Sequence, residues 1–77
     1  MSPFILFQRD DCHLCDLALE VLAEAALPEF DSVFIDDHEA LEAAYGERVP
    51  VLRCAVSGRE LDWPFDAVAV RSLASPG

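Results

Sequence analysis

The chain has 77 residues, enough for one small domain but close to the lower limit at which a single hydrophobic core is self-sufficient. Apolar residues make up 53% of the sequence, which excludes a disordered chain. Fifteen acidic residues against five arginines and no lysine give a formal net charge of -10, so a nucleic-acid backbone or an anionic membrane surface would repel the chain.

Neither the N-terminal segment nor any apolar run indicates export or membrane insertion. Residues 1–4 lack the basic and the long apolar regions of a signal peptide, and no apolar run approaches the roughly 20 residues of a membrane span. Three cysteines are an odd number, which does not suit a secreted disulfide framework. We therefore expect a cytoplasmic monomer that binds neither nucleic acid nor membrane.

The first half of the chain predicts a strand, a helix and a second strand. Residues 3–7 predict a strand buried on both faces, because large apolar residues follow one another without alternation. Asp11 is the expected N-cap of an amphipathic helix that runs to about Ala26 and is stopped by Pro28. A second apolar strand at residues 32–35 completes a unit that predicts a parallel strand pair with a right-handed crossover.

Two further helices are predicted in the second half. Either Asp36 or Asp37 is the expected cap of a short helix that ends at Gly46. Asp62 is the expected cap of the last helix, with Pro64 near its first position.

Between these two helices the sequence predicts a β-hairpin. Residues 51–56 and 59–61 read as two strands joined by the two-residue turn Ser57-Gly58. The predicted order is therefore βαβ, α, ββ, α, in a single α/β domain that spans residues 1–77.

The motif that carries chemistry is Cys12-His13-Leu14-Cys15, between the first strand and the first helix. The positive end of the helix dipole favours a thiolate at Cys12, although the charges of Asp10 and Asp11 oppose it. Cys15 comes one helical turn later, close enough to attack a mixed disulfide formed at Cys12. The pair therefore predicts a thiol–disulfide redox centre with Cys12 as nucleophile and Cys15 as resolving thiol.

Zinc binding is the competing chemistry for these cysteines. Cys12, Cys15, Cys54 and a histidine could nominally provide four ligands. Structural zinc sites usually contain two close-spaced ligand pairs, whereas this chain has one. We therefore expect no bound metal or other cofactor, and we expect Cys54 to be a small core residue.

The Cys-x-x-Cys after the first strand, with Val49-Pro50 just before the hairpin, resembles glutaredoxin-like proteins of the thioredoxin-fold superfamily. Residues 45–52 and 58–65 are similar to a group of small bacterial proteins of this kind. The resemblance implies a four-stranded mixed sheet of order 2-1-3-4 flanked by helices, with a cis-proline at Pro50. It also implies a small thiol–disulfide oxidoreductase whose partners are a disulfide-containing protein or low-molecular-weight thiol and an unidentified reductase.

The same resemblance implies a substrate-binding surface around the cysteines. Arg9 corresponds to a family lysine that helps to hold the thiolate and a ligand carboxylate. Arg48 stands where threonine is usual, and the backbone of Val49 beside Pro50 is expected to pair with the substrate. The alternative partners of Arg9 are nearby carboxylates, namely Asp10, Asp11 or Asp31. The expected substrate-binding residues are Arg9, His13, Arg48, Val49, Pro50, Asp62 and Trp63.

The electron donor is left open by the sequence. Glutaredoxins place two glycines before the last helix to bind the glutamyl end of glutathione, whereas Asp62 and Trp63 occupy the corresponding positions here. Glutathione is one candidate co-substrate, and thioredoxin reductase, which reduces small redoxins with a similar Trp-x-Phe pattern, is the other. The alternative function is a thioredoxin-fold module that binds a partner protein with little or no redox turnover.

Overall fold

A computed structural model describes residues 3–27 and 29–75 and contains the predicted order of strands and helices. The elements are β1 (Phe4–Gln8), α1 (His13–Glu24), β2 (Asp31–Phe34), α2 (Glu39–Tyr45), β3 (Val51–Cys54), β4 (Glu60–Asp62) and α3 (Ala67–Ala74). Within these two described ranges, every helix is too short or too polar to cross a lipid bilayer.

The strands form one mixed sheet in the order β2-β1-β3-β4. β1 and β2 are parallel and are connected through α1, while β3 is antiparallel to both of its neighbours. The predicted α/β fold with sheet order 2-1-3-4 is therefore confirmed. Because β1 is a central strand, Leu6 and Phe7 are buried although they point to opposite faces of the sheet, as the unbroken apolar run predicts.

The sheet separates two hydrophobic clusters. On one face, α1 and α3 pack over the central strands around Leu6 and Leu52. On the other face, α2 packs over them through Tyr45, whose ring stacks on Phe7 with the ring centroids 4.2 Å apart. Packing on both faces fixes the position of the loop that leaves β1 and enters α1.

The caps of the first two helices differ from the predictions. Cys12 is the N-cap of α1, whereas Asp11 has a left-handed backbone conformation with φ of 56°. α2 follows His38, whose side chain makes no capping hydrogen bond. The carboxylate of Asp36 instead accepts a hydrogen bond of 2.7 Å from the backbone N–H of Asp10, and so ties the β2–α2 loop to the β1–α1 loop.

The hairpin and the start of α3 also differ from the predictions. Residues 55–59 connect β3 to β4, so the connection is longer than a two-residue turn, and the N–H of Gly58 donates to the carbonyl of Cys54. Asp62 belongs to β4, where it pairs with Val51, and does not cap a helix. The cap of α3 is Asp66, whose carboxylate accepts a hydrogen bond of 2.8 Å from the N–H of Ala69.

The C-terminus of α1 ends in a Schellman turn without a glycine. The N–H of Ala26 donates to the carbonyl of Ala23 at 3.0 Å, and the N–H of Leu27 donates to that of Leu22 at 3.1 Å. Ala26 has φ of 58°, a conformation that is costly for a residue with a Cβ atom. The helix has therefore ended before Pro28, the predicted stop, which lies outside the described residues.

We expect Ala26→Gly to stabilise the fold by roughly 0.5 to 1 kcal/mol, because relief of the left-handed strain exceeds the added entropy of the unfolded chain. Urea unfolding measures the change. The matched control is Ala23→Gly, an exposed position inside α1, which should destabilise by about 0.5 to 1 kcal/mol. A loss of stability in both variants would contradict the assignment of strain to Ala26.

Candidate functional site

Cys12 lies at the junction of β1 and α1, at the carboxyl end of a central strand. Its extended backbone makes it the N-cap of α1, and its Sγ atom accepts a hydrogen bond of 3.3 Å from the backbone N–H of Cys15. The sulfur thus occupies the place of the oxygen that usually caps a helix. The Sγ atom of Cys12 therefore lies at the helix N-terminus, where backbone N–H groups have no partner inside the helix. Because Cys12 is only half-buried, it can still be reached from solvent.

Cys15 differs from Cys12 in its surroundings. It lies in the first turn of α1 and is only 2% exposed. Burial raises the pKa of its thiol to about 11, and the contact with Cys12 adds to the rise. Cys15 therefore keeps its proton at neutral pH, next to a more accessible sulfur.

A surface cleft of about 570 Å³ lies beside the two cysteines. It is bounded by the β1–α1 loop, the first turns of α1 and the edge strand β2, and its apolar wall is formed by Leu19 and Phe34. Of the predicted site residues, the cleft brings together Arg9, Cys12, His13 and Cys15. The remaining five, which are Arg48, Val49, Pro50, Asp62 and Trp63, do not line it.

The guanidinium of Arg9 is bound by residues in α2 and near its two ends. Its Nη2 atom lies 2.6 Å from the carboxylate of Glu42 and donates to the carbonyl of Gly46 at 3.0 Å, while Nη1 lies 3.8 Å from Asp36. The hydrogen bond to Glu42 is the main reason why the pKa of Arg9 is raised. Its partners are therefore Glu42 and Asp36, and the predicted alternatives, Asp10, Asp11 and Asp31, are wrong.

Arg48 forms a double ion pair near the start of β3. Its Nη2 atom lies 2.7 Å from Asp62 and 2.6 Å from Glu60, and its Nε atom donates to Asp62 at 3.3 Å. The guanidinium also lies over the ring of Tyr45, 5.1 Å from its centroid. The hydrogen bonds to Asp62 and Glu60 raise the pKa of Arg48. This predicted substrate contact is therefore already bound to two carboxylates of its own chain.

Glu60 is the residue of this region that the sequence reasoning missed. Its carboxylate accepts hydrogen bonds from Arg48 at 2.6 Å, from the hydroxyl of Tyr45 at 2.7 Å and from Arg53 at 2.8 Å. These bonds, that from Arg48 first, lower the pKa of Glu60 to about 2. Arg53 lies directly opposite Glu60 as a cross-strand pair of opposite charge, whereas the predicted two-residue turn would have placed Arg53 opposite Asp62.

Pro50 lies at the same end of the sheet as Cys12. The register pairs Phe7 with Val51, so Pro50 comes just before β3 begins, opposite the end of β1. The peptide bond between Val49 and Pro50 is cis. The N–H of Val49 donates to the carbonyl of Tyr45 at 3.0 Å, so this N–H is not free for a substrate backbone as the resemblance implied.

Trp63 follows β4 at that end of the sheet, and its peptide bond to Pro64 is also cis. The half-buried indole meets the ring of Phe65 edge to face, with centroids 5.1 Å apart, and packs against the cluster under α1 and α3. A contact between Trp63 and a substrate stays a prediction.

Cys54 lies at the opposite end of the sheet from the other two cysteines. It pairs with Phe4 at the start of β1, whereas Cys12 comes after the end of β1, and its side chain is buried as predicted. In residues 3–27 and 29–75, no three or more His, Cys, Asp or Glu side chains are grouped so that they could hold a metal ion. The geometry therefore does not support a zinc site shared by the three cysteines.

Comparisons with known proteins agree with this architecture. Residues 4–73 match the family described as Glutaredoxin-like domain (DUF836). The crystal structure of the protein XcR50 from X. campestris is 63% identical, with a TM-score of 0.86 over 95% of this chain and 99% of that one. The solution structure of the protein Ne2328 from Nitrosomonas europaea is 29% identical, with a TM-score of 0.68 over 94% and 92%. No curated protein sequence matches the chain significantly. Because the match spans nearly all of its length, the chain belongs to the glutaredoxin-like family of thioredoxin-fold proteins.

Proposed function

We propose that the chain is a thiol–disulfide oxidoreductase in which Cys12 attacks and Cys15 resolves. The observation that carries the proposal is the asymmetry of the two thiols. Cys12 is half-buried at the N-terminus of α1, and Cys15 is almost completely enclosed behind it with its pKa raised to about 11. Such an arrangement lets an external disulfide reach the first sulfur and reserves the second for attack within the protein.

The exchange proceeds in two steps. The thiolate of Cys12 attacks one sulfur of the target, whose S–S bond breaks as a mixed disulfide forms and one target thiolate leaves. Cys15 then gives up its proton and attacks Cys12 Sγ, which releases the second target thiolate and leaves a Cys12–Cys15 disulfide. Two electrons have passed to the target, and protons from Cys15 and solvent neutralise the released thiolates. A reductase or a low-molecular-weight thiol returns the electrons.

The remaining predicted residues have supporting roles in this proposal. Val49 and Pro50 border the end of the sheet that carries Cys12, where the carbonyl of Val49 would accept a hydrogen bond from an extended substrate. Arg9, beside the cleft, contributes positive charge close to the sulfur of Cys12. A centre that cycles through a dithiol suits a reducing compartment, so we propose that the protein acts in the cytoplasm.

Alkylation mass spectrometry across a series of glutathione redox buffers tests the function. We expect Cys12 and Cys15 to become protected together as one two-electron couple, with a midpoint between roughly -270 and -180 mV, the range of related redox proteins. The control is Cys54→Ala, which should give the same midpoint because Cys54 is buried at the other end of the sheet. A pair that stays reduced in every buffer would refute the proposal and favour the binding-module function.

A further inference from the structure

The cleft beside Cys12 has an excess of negative charge. Asp10, Asp11 and Asp16 all line it and are exposed. Arg9 lines it too, but its guanidinium is already bound to two carboxylates and a carbonyl on the side of α2. The charges around the accessible sulfur therefore sum to a negative value, with His13 in the lining as the remaining ionisable group that could oppose it.

The other cation of the predicted binding surface does not offset this negative charge for an anionic substrate. Arg48, the second cation of the predicted binding surface, is held by Asp62 and Glu60. The chain as a whole has a formal net charge of -10, so the long-range field has the same sign as the local one. Carboxylates of a ligand such as glutathione would approach the nucleophile against both fields.

We infer that the cleft selects disulfides that carry positive charge next to the sulfur, such as a peptide segment with lysine or arginine flanking its cysteine. Asp10, Asp11 and Asp16 would face the cationic groups, and Leu19 with Phe34 would contact the aliphatic parts of the same segment. The inference rests on the proposed function, because it names the substrate class of that cysteine pair. The reaction is the same two-electron exchange, in which two target thiols are released and the Cys12–Cys15 disulfide forms.

Three small disulfides of different charge provide the test. The reduced protein is mixed at pH 7 with cystamine, which carries two ammonium groups, with neutral bis(2-hydroxyethyl) disulfide, or with 3,3′-dithiodipropionate, which carries two carboxylates. Each rate of Cys12–Cys15 disulfide formation, followed by acid quench and alkylation, is divided by the rate of the same disulfide with dithiothreitol. The division corrects for the different leaving-group pKa values.

We expect the corrected rate for cystamine to exceed that for dithiodipropionate by on the order of tenfold or more at low ionic strength. The difference should fall to less than about threefold in 0.5 M sodium chloride, because salt screens charges at an open surface. Equal corrected rates for the three disulfides would overturn the inference while the proposed function stands. No reaction with the neutral disulfide would overturn both.

Charge-neutral variants assign the effect to the cleft. The triple variant Asp10→Asn, Asp11→Asn and Asp16→Asn should reduce the ratio of the cystamine and dithiodipropionate rates to less than about a third of its original value. The salt dependence of the unmodified protein provides a measurement that does not depend on how this variant folds.

A second triple variant controls for net charge. Glu24→Gln, Glu39→Gln and Glu47→Gln remove three negative charges as well, at exposed positions that do not line the cleft. We expect this control to keep most of the charge selectivity. An equal loss of selectivity in both triple variants would show that net charge, and not the cleft, makes the distinction, and would overturn the inference.

Discussion

Replacement of Cys12 by serine is expected to abolish disulfide exchange, and replacement of Cys15 by serine is expected to stop it halfway. A hydroxyl oxygen cannot form a disulfide, so Cys12→Ser has no first step, and the buried Cys15, whose pKa is raised to about 11, should not take over. In Cys15→Ser the first step remains, but no thiol is left nearby to release the mixed disulfide. Intact-mass spectrometry after incubation with bis(2-hydroxyethyl) disulfide should then show no adduct on Cys12→Ser and about one adduct per chain on Cys15→Ser.

The third cysteine provides the matched control for this experiment. Cys54→Ala should behave like the unmodified protein, because Cys54 is buried in the core at the far end of β3. An adduct on Cys12→Ser would instead make Cys15 the nucleophile and contradict the assignment of roles. A Cys12→Ser protein that kept its full biological effect would favour the binding-module function.

The sheet could be predicted because each strand is indicated by its own short stretch of sequence, and the separate stretches agree with one another. The apolar runs around Leu6, Val33 and Leu52 are short, are bounded by polar turns and are separated from one another by one helix each, which leaves few ways to pair them. Helix caps were harder to predict because several aspartates compete for each role. Asp62 lies two residues before Pro64 and therefore looks like a helix cap. In the structure it belongs to β4 and pairs with Val51, and this pairing depends on the whole hairpin.

The cysteine pair could be predicted from spacing alone, whereas the partners of the arginines could not. The Cys-x-x-Cys sits at a strand-to-helix junction that the hydrophobic pattern locates by itself. The choice of Glu42 and Asp36 by Arg9 depends on how α2 packs across β1, and no local pattern encodes it. The local pattern also predicted Asp11 as the N-cap of the first helix, whereas the folded chain uses the sulfur of Cys12 as the cap.

Glu60→Gln is expected to destabilise the protein at neutral pH by on the order of 1 to 2 kcal/mol. The carboxylate of Glu60 is 20% exposed and joins Arg48, Arg53 and the hydroxyl of Tyr45, so its loss leaves two guanidinium groups without their shared anion. The figure is smaller than the pKa shift alone implies, because both arginine side chains are more than one-third exposed and solvent weakens their attraction to the carboxylate.

The pH dependence distinguishes this ion pairing from a packing effect. The pKa of Glu60 is lowered from 4.5 to about 2 on folding, so the unfolded chain binds the proton more readily and protonation favours unfolding. The stabilisation is therefore complete above pH 4.5 and is lost as the pH falls from 4.5 towards 2. Urea unfolding followed by the fluorescence of Trp63, the single tryptophan, should show a difference between the unmodified protein and Glu60→Gln that shrinks over this range.

Glu24→Gln makes the same chemical change at an exposed position on α1 and should alter the unfolding free energy by less than about 0.5 kcal/mol. If Glu60→Gln lost the same free energy at pH 2.5 as at pH 7, the contribution of Glu60 would come from shape and neutral hydrogen bonds, and its charge would not matter. A difference that closes in acid would instead show that Glu60 stabilises the fold through its negative charge, shared by Arg48 and Arg53.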